Sequence, residues 1–348
     1  MRLVLAGGGT GGHLFPGIAI AEEALRREST SEILFIGAPY GLDSKIVPAH
    51  HFSLEIIPVG GLKRVGIAQQ LKTFSLLPIA ILKSVAILKR FDPDAVIGLG
   101  GYSAGPVILA AKLLRVPTGI LENNTIPGFT NKQLSKVVDH VFVAFEEAKG
   151  KFPAKKIILS GNPVRGSIST TPLPPKEEFT IGILGGSQGA RRLNQIIVQT
   201  LPLLDPSIKI IHQTGVHDIQ WVKEGYDQIN RQAEVIPFVD DMASFYKKIS
   251  LAICRAGATT ISELAAAGRP AIFIPFPFAA DDHQTWNAKA IEKLGGGRVI
   301  IQDQLTPRGL VSIVNHFRSH YDELVQMAKK IQVFHHAQAT QTILNAFK

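Results

Sequence analysis

The chain has 348 residues, 45% of them hydrophobic and 19% charged; this balance builds packed cores, excludes a largely disordered protein, and at this length suits two domains better than one. With 37 Lys and Arg against 28 Asp and Glu, the formal charge is +9, which favours anionic partners: phosphorylated ligands, an acidic membrane surface or nucleic acid. The single cysteine, Cys254, excludes an internal disulfide framework and cysteine-rich zinc sites, and fits a reducing compartment with the thiol as a small buried hydrophobe.

One Arg and the run LVLA precede the first glycines. That is too short for a signal peptide, and no stretch approaches the roughly 18 to 20 apolar residues needed to cross a bilayer, so a cytoplasmic protein is expected. The opening strand, RLVLA, runs into GGGTGGH and a helix. Gly7, Gly9 and Gly12 fit the dinucleotide pattern G-x-G-x-x-G, but such a fold wants an acid at the end of its second strand to hold ribose hydroxyls. The second strand, EILFIG, ends at Gly37 and the nearest acid, Asp43, comes several residues later, which counts against a nicotinamide cofactor. Glycines at a helix N-terminus expose N–H groups where the macrodipole favours an anion, so a phosphate or pyrophosphate site is expected. His13 either faces that ligand as a general base or is a capping or core histidine.

Residues 71–91, opening on Leu71 and closing on Phe91, interleave bulky apolar residues with Lys72, Lys83, Lys89 and Arg90. The pattern suits an interfacial helix or a core helix with solvated cations. The next strand, DAVI, leads into a further glycine loop, GLGGYSAGP, at 98–106; PTGIL and HVFVAF follow as strands. Residues 169–178, STTPLPPKEE, are proline-rich and without period and read as an interdomain linker. Beyond it, TIGILGGSQGARRLNQ repeats strand, glycine loop and helix, with 185–189 in the role of 8–12. IKIIHQTG, LAICRAG and RPAIFIPF complete a second set of apolar strands. Thr259 and Thr260 start a helix whose first turn is expected to hold Glu263, either as a ligand for ribose hydroxyls or as a dipole-favouring acid. The loop FAADDHQTWNA offers Asp282, His283, Gln284 and Asn287, able to read sugar hydroxyls or to form a solvated turn. Apolar strands alternating with helices predict an α/β protein of two Rossmann-like halves with parallel sheets, ligands beyond the carboxyl ends of the strands and an active site in a cleft between the halves.

The stretches GGGTGGHLFPGIAIAEEAL, GLGGYSAGP, ENNTIPGFTNK, GNPVR, GGSQGARRLN and RAGATTISELAAAGRPAIFIPFPFAADDHQTWNA resemble, in order and to about residue 300, the peptidoglycan N-acetylglucosaminyltransferase family of the GT-B superfamily. The resemblance implies two Rossmann-like domains whose sheets face across a cleft. Residues 1–165 would bind acceptor and membrane, with a C-terminal helix at about 330–348 packing back on them, and 166–329 would bind UDP-GlcNAc. It implies inverting transfer of GlcNAc to the 4-hydroxyl of MurNAc in undecaprenyl-diphosphate-MurNAc-pentapeptide, at the cytoplasmic side of the plasma membrane. The anionic membrane surface would meet residues 71–91. Another UDP-sugar enzyme of this fold, such as an epimerase or a transferase with a different acceptor, is the alternative.

Matched to the family's motifs, Glu263 would hold the ribose. Gly186, Ser187, Gln188 and Thr259 would face the diphosphate, with Arg165 on the nucleotide side; His283, Gln284 and Asn287 would contact the donor sugar, and Asn124 would also bind the donor. Thr10, Gly11, Gly12, Ser103 and Gly105 would hold the acceptor diphosphate. Many family members carry His-Glu-Gln-Asn where this chain has LENN at 121–124; with that histidine absent, His13 becomes the stronger candidate base and Glu122 the other. Asp240-Asp241 and Asp281-Asp282 are adjacent pairs in predicted loops rather than Asp-x-Asp metal motifs, so neither metal nor cofactor is expected. Scattered positive charges and only 7% aromatic residues, without a recognition motif, argue against nucleic acid.

Overall fold

This computed structural model describes residues 1–60, 67–186 and 189–348, the side chains of 67–75 excepted. The chain divides into two compact units: Met1–Arg165 with His336–Lys348, and Gly166–His335.

The first unit is built on a parallel seven-stranded sheet of order β3-β2-β1-β4-β5-β6-β7. Its strands are β1 (Arg2–Gly7), β2 (Glu32–Gly37), β3 (Ser53–Ile56), β4 (Ala95–Gly100), β5 (Thr118–Glu122), β6 (His140–Val143) and β7 (Ile157–Leu159). Alternation along β1 explains why both faces are covered. Leu3 and Leu5 join a core with Leu14, Ile18 and Ile343, while Val4 and Ala6 join another with Ala80, Val107 and Ile108. A central parallel strand must be apolar on both faces because helices lie over each. The last helix, Ala339–Asn345, packs on the helix Gly11–Arg27, where Arg27 donates to the Asn345 side chain and Phe347 meets the ring of Phe142.

The second unit repeats the plan with six parallel strands in the order β10-β9-β8-β11-β12-β13. These are β8 (Thr180–Leu184), β9 (Lys209–Gln213), β10 (Glu234–Ile236), β11 (Leu251–Cys254), β12 (Ala271–Phe273) and β13 (Gly297–Val299). The four strands not expected from sequence, β3, β7, β10 and β13, have three or four residues each and carry too short an apolar run to stand out from loops.

Residues 169–178 are not a free linker. They belong to the second unit and are sewn to it by Arg269, whose guanidinium donates to the Thr171 and Pro172 carbonyls and to the Tyr246 carbonyl. The Thr170 hydroxyl adds a bond to the Ala266 carbonyl. Arg269 is fully buried, and desolvation pushes its pKa down to about 10, so its charge is held by carbonyl dipoles instead of a carboxylate. Cys254 is also fully buried, and burial pushes its thiol up to about 12, which makes it an inert hydrophobe.

Candidate active site

In the first unit the glycine loop lies at the carboxyl end of β1, beside the end of β4. Gly7 has φ +127°, and a Cβ there would sit 2.2 Å from the Gly100 carbonyl oxygen; a Cβ on Gly8 would sit 1.9 Å from Asp43 Oδ1. Two of the five glycines are therefore required by close packing, whether or not a ligand is bound. The helix Gly11–Arg27 begins just beyond, with Thr10 at its N-cap in extended conformation. The Gly8 amide donates to the Gly100 carbonyl, which brings the first loop against the Ser103–Gly105 turn at the start of the helix Ala104–Leu113. Asn123 donates to the Gly12 carbonyl and adds the end of β5. Thr10, Gly11, Gly12, His13, Ser103, Gly105, Glu122 and Asn124 thus gather at one end of one sheet. Arg165 joins them, its guanidinium 4.4 Å above the Phe15 ring.

The two candidate bases differ sharply. Glu122 is buried, at 2% exposure. Its carboxylate accepts from the Asn124 amide and side chain, the Gly128 amide and the Asn131 side chain, at 3.0–3.2 Å. Both oxygens are occupied in clasping the 123–128 loop, leaving little capacity to take a substrate proton. His13 is half-buried, with Nδ1 3.1 Å from the Gly8 carbonyl oxygen and 3.4 Å from Thr10 Oγ1. A carbonyl only accepts, so Nδ1 carries a hydrogen, and in the neutral ring the lone pair is then on Nε2.

In the second unit the corresponding loop follows β8. Gly186 is exposed with φ +78°, and Ser187 and Gln188 lie outside the described residues. Thr259 stands at the start of the helix Ala258–Ala267. Glu263 is the sixth residue of that helix, on its second turn and not its first, because the helix begins immediately after Gly257. It is 4% exposed, and Oε2 accepts from the Tyr246 hydroxyl at 3.0 Å. Asn287 is fully buried and donates to the Ala256 carbonyl, fixing the turn that leads into Glu263's helix. Gln284 accepts from the Phe276 amide, and the His283 ring nitrogen Nδ1 lies 2.7 Å from the Ala280 carbonyl oxygen. These groups line the ends of β11 and β12. Beneath them a buried network fixes the helix after the glycine loop: Asn194 donates to the Thr214 carbonyl and Asp218, and His212 bridges the Asn194 side chain and Tyr226.

Sequence reasoning missed three contributors. Asp43, noted only as too late in the chain to hold a ribose, puts a buried carboxylate against the first glycine loop. Tyr246 and the His212 network sit 17 and 18 residues from the groups they support, and no local motif signals them. Among the described residues no three His, Cys, Asp or Glu side chains group so as to hold a metal ion.

Two Rossmann-like units, each with a glycine loop and a helix N-terminus at the end of its leading strand, are the GT-B type of fold, a class that binds nucleotide sugars. Residues 3–143 match the glycosyltransferase family 28 N-terminal domain and 180–343 its C-terminal domain. The chain is 45% identical over 336 residues, 95% of its length and 88% of the relative's, to the UDP-N-acetylglucosamine–N-acetylmuramyl-(pentapeptide) pyrophosphoryl-undecaprenol N-acetylglucosamine transferase of Myxococcus xanthus. It is 41% identical to the Geobacter metallireducens protein of the same name, covering 99% of this chain and 97% of that one. The crystal structure of Acinetobacter baumannii MurG superposes with a TM-score of 0.80 at 32% identity, covering 99% of this chain and 98% of that one. The chain belongs to glycosyltransferase family 28 and, within it, to the MurG family.

Proposed function

We infer that this protein is an inverting glycosyltransferase. It moves GlcNAc from UDP-GlcNAc to the 4-hydroxyl of MurNAc in undecaprenyl-diphosphate-MurNAc-pentapeptide, the step that completes the lipid-linked disaccharide of peptidoglycan. The observation that carries this reading is the 45% identity to a transferase of that name over 95% of the chain.

On this reading the second unit binds the donor. Glu263 accepts the ribose hydroxyls, and the N-terminus of its helix at Thr259, with the loop at Gly186, Ser187 and Gln188, faces the diphosphate. Gln284 and His283 meet the sugar, while buried Asn287 shapes the turn behind it. The first unit takes the acceptor, its diphosphate against Thr10, Gly11, Gly12, Ser103 and Gly105. Arg165 and Asn124, although carried by the first unit, serve the donor. His13 Nε2 takes the proton of the 4-hydroxyl as that oxygen bonds to the anomeric carbon, and the electrons of the breaking bond leave with the UDP oxygen. Glu122 holds the loop beside it. Inversion follows from a single in-line displacement.

The lipid acceptor requires contact with a membrane. The helix Ile67–Phe91 buries Ala80, Ser84, Ile87 and Leu88 and leaves Ile79, Leu82, Lys83 and Lys89 outside. Leu82 is 70% exposed. An apolar ridge flanked by cations suits a peripheral contact with anionic lipid at the cytoplasmic face; Lys72 lies outside the described side chains. Among the described residues no helix is long and apolar enough to cross a membrane.

The test is transfer of radiolabelled GlcNAc from UDP-GlcNAc to a short-chain analogue of the lipid-linked muramoyl pentapeptide. His13→Ala should lower kcat with the donor KM unchanged, and Glu263→Ala should chiefly raise the donor KM. Folded protein that epimerises the donor and transfers nothing would overturn the assignment in favour of a UDP-sugar epimerase.

A further inference from the structure

The Gly8–Gly9 peptide is held on both sides. Its N–H, from Gly9, donates to Asp43 Oδ2 at 2.7 Å, and its carbonyl, from Gly8, accepts from His13 Nδ1 at 3.1 Å. One planar peptide therefore joins a carboxylate to the imidazole. Asp43 is 1% exposed, and its other oxygen, Oδ1, is buried without a hydrogen-bond partner. Gly8 and Gly37 leave the carboxylate room, since a Cβ at either would lie within 2.5 Å of Oδ1. The Leu42 amide donates back to the Gly9 carbonyl of the next peptide, so the 37–43 segment holds two successive peptides of the loop. On its other flank the imidazole lies against Gly100, where a Cβ would come 3.0 Å from Nε2.

We propose that Asp43 is a positioning residue for transfer, acting on His13 through the Gly8–Gly9 peptide to fix the Nδ1–H tautomer and to favour the imidazolium that forms as Nε2 takes the acceptor proton. Hydrogen bonds in series polarise one another, so a carboxylate on the N–H makes the carbonyl at the other end a stronger acceptor for Nδ1–H. The carboxylate does not touch the ring, so it transmits orientation and charge without competing for the Nε2 lone pair. Burial raises the Asp43 pKa on balance, against the lowering by the Gly9 amide and its other backbone hydrogen bonds; a positive charge forming on His13 favours the carboxylate in return. The close-packed glycines supply the second reason for this loop's composition: they let a carboxylate reach a peptide that a side chain would shield.

The proposal rests on His13 as the base, and the experiment separates the two. Wild type, His13→Ala, Asp43→Asn and the double variant are compared for kcat and donor KM, and 15N-histidine NMR reads the tautomer of His13, assigned with His13→Gln. Asn can still accept from the Gly9 amide but carries no charge. Asp43→Asn should lower kcat by about tenfold to a hundredfold, the size of the loss when the outer partner of a metal-bound histidine is removed, with the UDP-GlcNAc KM within about twofold of wild type because the donor's ground-state contacts are untouched. In the His13→Ala background it should add nothing, and wild-type His13 should show protonated Nδ1 and unprotonated Nε2. Equal, multiplicative losses in both backgrounds would make Asp43 a purely structural residue and overturn the relay. So would a wild-type Nε2–H tautomer, which decides the matter even where Asp43→Asn does not fold. An unchanged kcat in His13→Ala would instead remove His13 as base.

Discussion

Acid should weaken the second unit through one buried histidine. His212 is fully buried on β9 between Asn194 and Tyr226, and desolvation pushes its pKa down to about 3 from 6.5 in the unfolded chain, with the charge of Asp218 opposing only in part. Because the folded pKa is the lower one, the unfolded state takes up the proton first, and stability falls as pH drops through 6.5 toward 3. The cost is about 1.4 kcal/mol per pH unit in that window, hence about 2 kcal/mol at pH 5, a large share of a typical domain's 5 to 15 kcal/mol. Asp205, held below the usual carboxylate range by Ser207 and Arg318, begins to lose its contribution only near its unfolded value of 3.8, well below the pH 5 at which the comparison is made. Both tryptophans, Trp221 and Trp286, belong to the second unit, so urea unfolding followed by tryptophan fluorescence at pH 7 and pH 5 reports on that unit. His212→Gln removes the titration, and its loss of stability between the two pH values should be about 2 kcal/mol smaller than that of wild type. An identical pH slope in the two proteins would refute the reasoning.

Three other outcomes are expected. Tyr246→Phe removes the hydroxyl that holds Glu263 Oε2; a hydrogen bond to a charged group contributes about 1.5 to 3 kcal/mol, so UDP should bind roughly tenfold or more weakly while 2′-deoxy-UDP changes much less, as calorimetry of both ligands would show. Glu122→Gln replaces an acceptor that serves four donors with a group that must turn an N–H toward some of them; a loss of about 2 kcal/mol should appear as a lower Tm, whereas a loss of kcat with Tm unchanged would restore Glu122 as the base. Replacing Ile79 and Leu82 together with Glu should abolish sedimentation with vesicles containing phosphatidylglycerol and leave transfer to a short-chain acceptor intact, and undiminished vesicle binding would remove this ridge as the membrane contact.

The amino-acid order alone determined the fold class, the three glycine loops, the helix starts behind them and the family motifs, because each depends on residues within about one turn or one strand of one another. It pointed to Thr10, His13, Glu122 and Glu263 as chemically capable groups and, through the leucine at 121, favoured His13 as base without assigning it. What surrounds each side chain supports the same order: four donors from 124–131 converge on Glu122, while His13 keeps one ring nitrogen turned away from the Gly8 carbonyl. The supposed linker at 169–178 had the composition of a loose connector, and only the buried guanidinium of Arg269, about a hundred residues away, made it part of the second unit. Asp43, Tyr246 and His212 were invisible for the same reason. Burial and hydrogen-bond partnership arise when segments far apart in the chain are packed together, and no local pattern in the sequence encodes which polar side chain will meet which peptide.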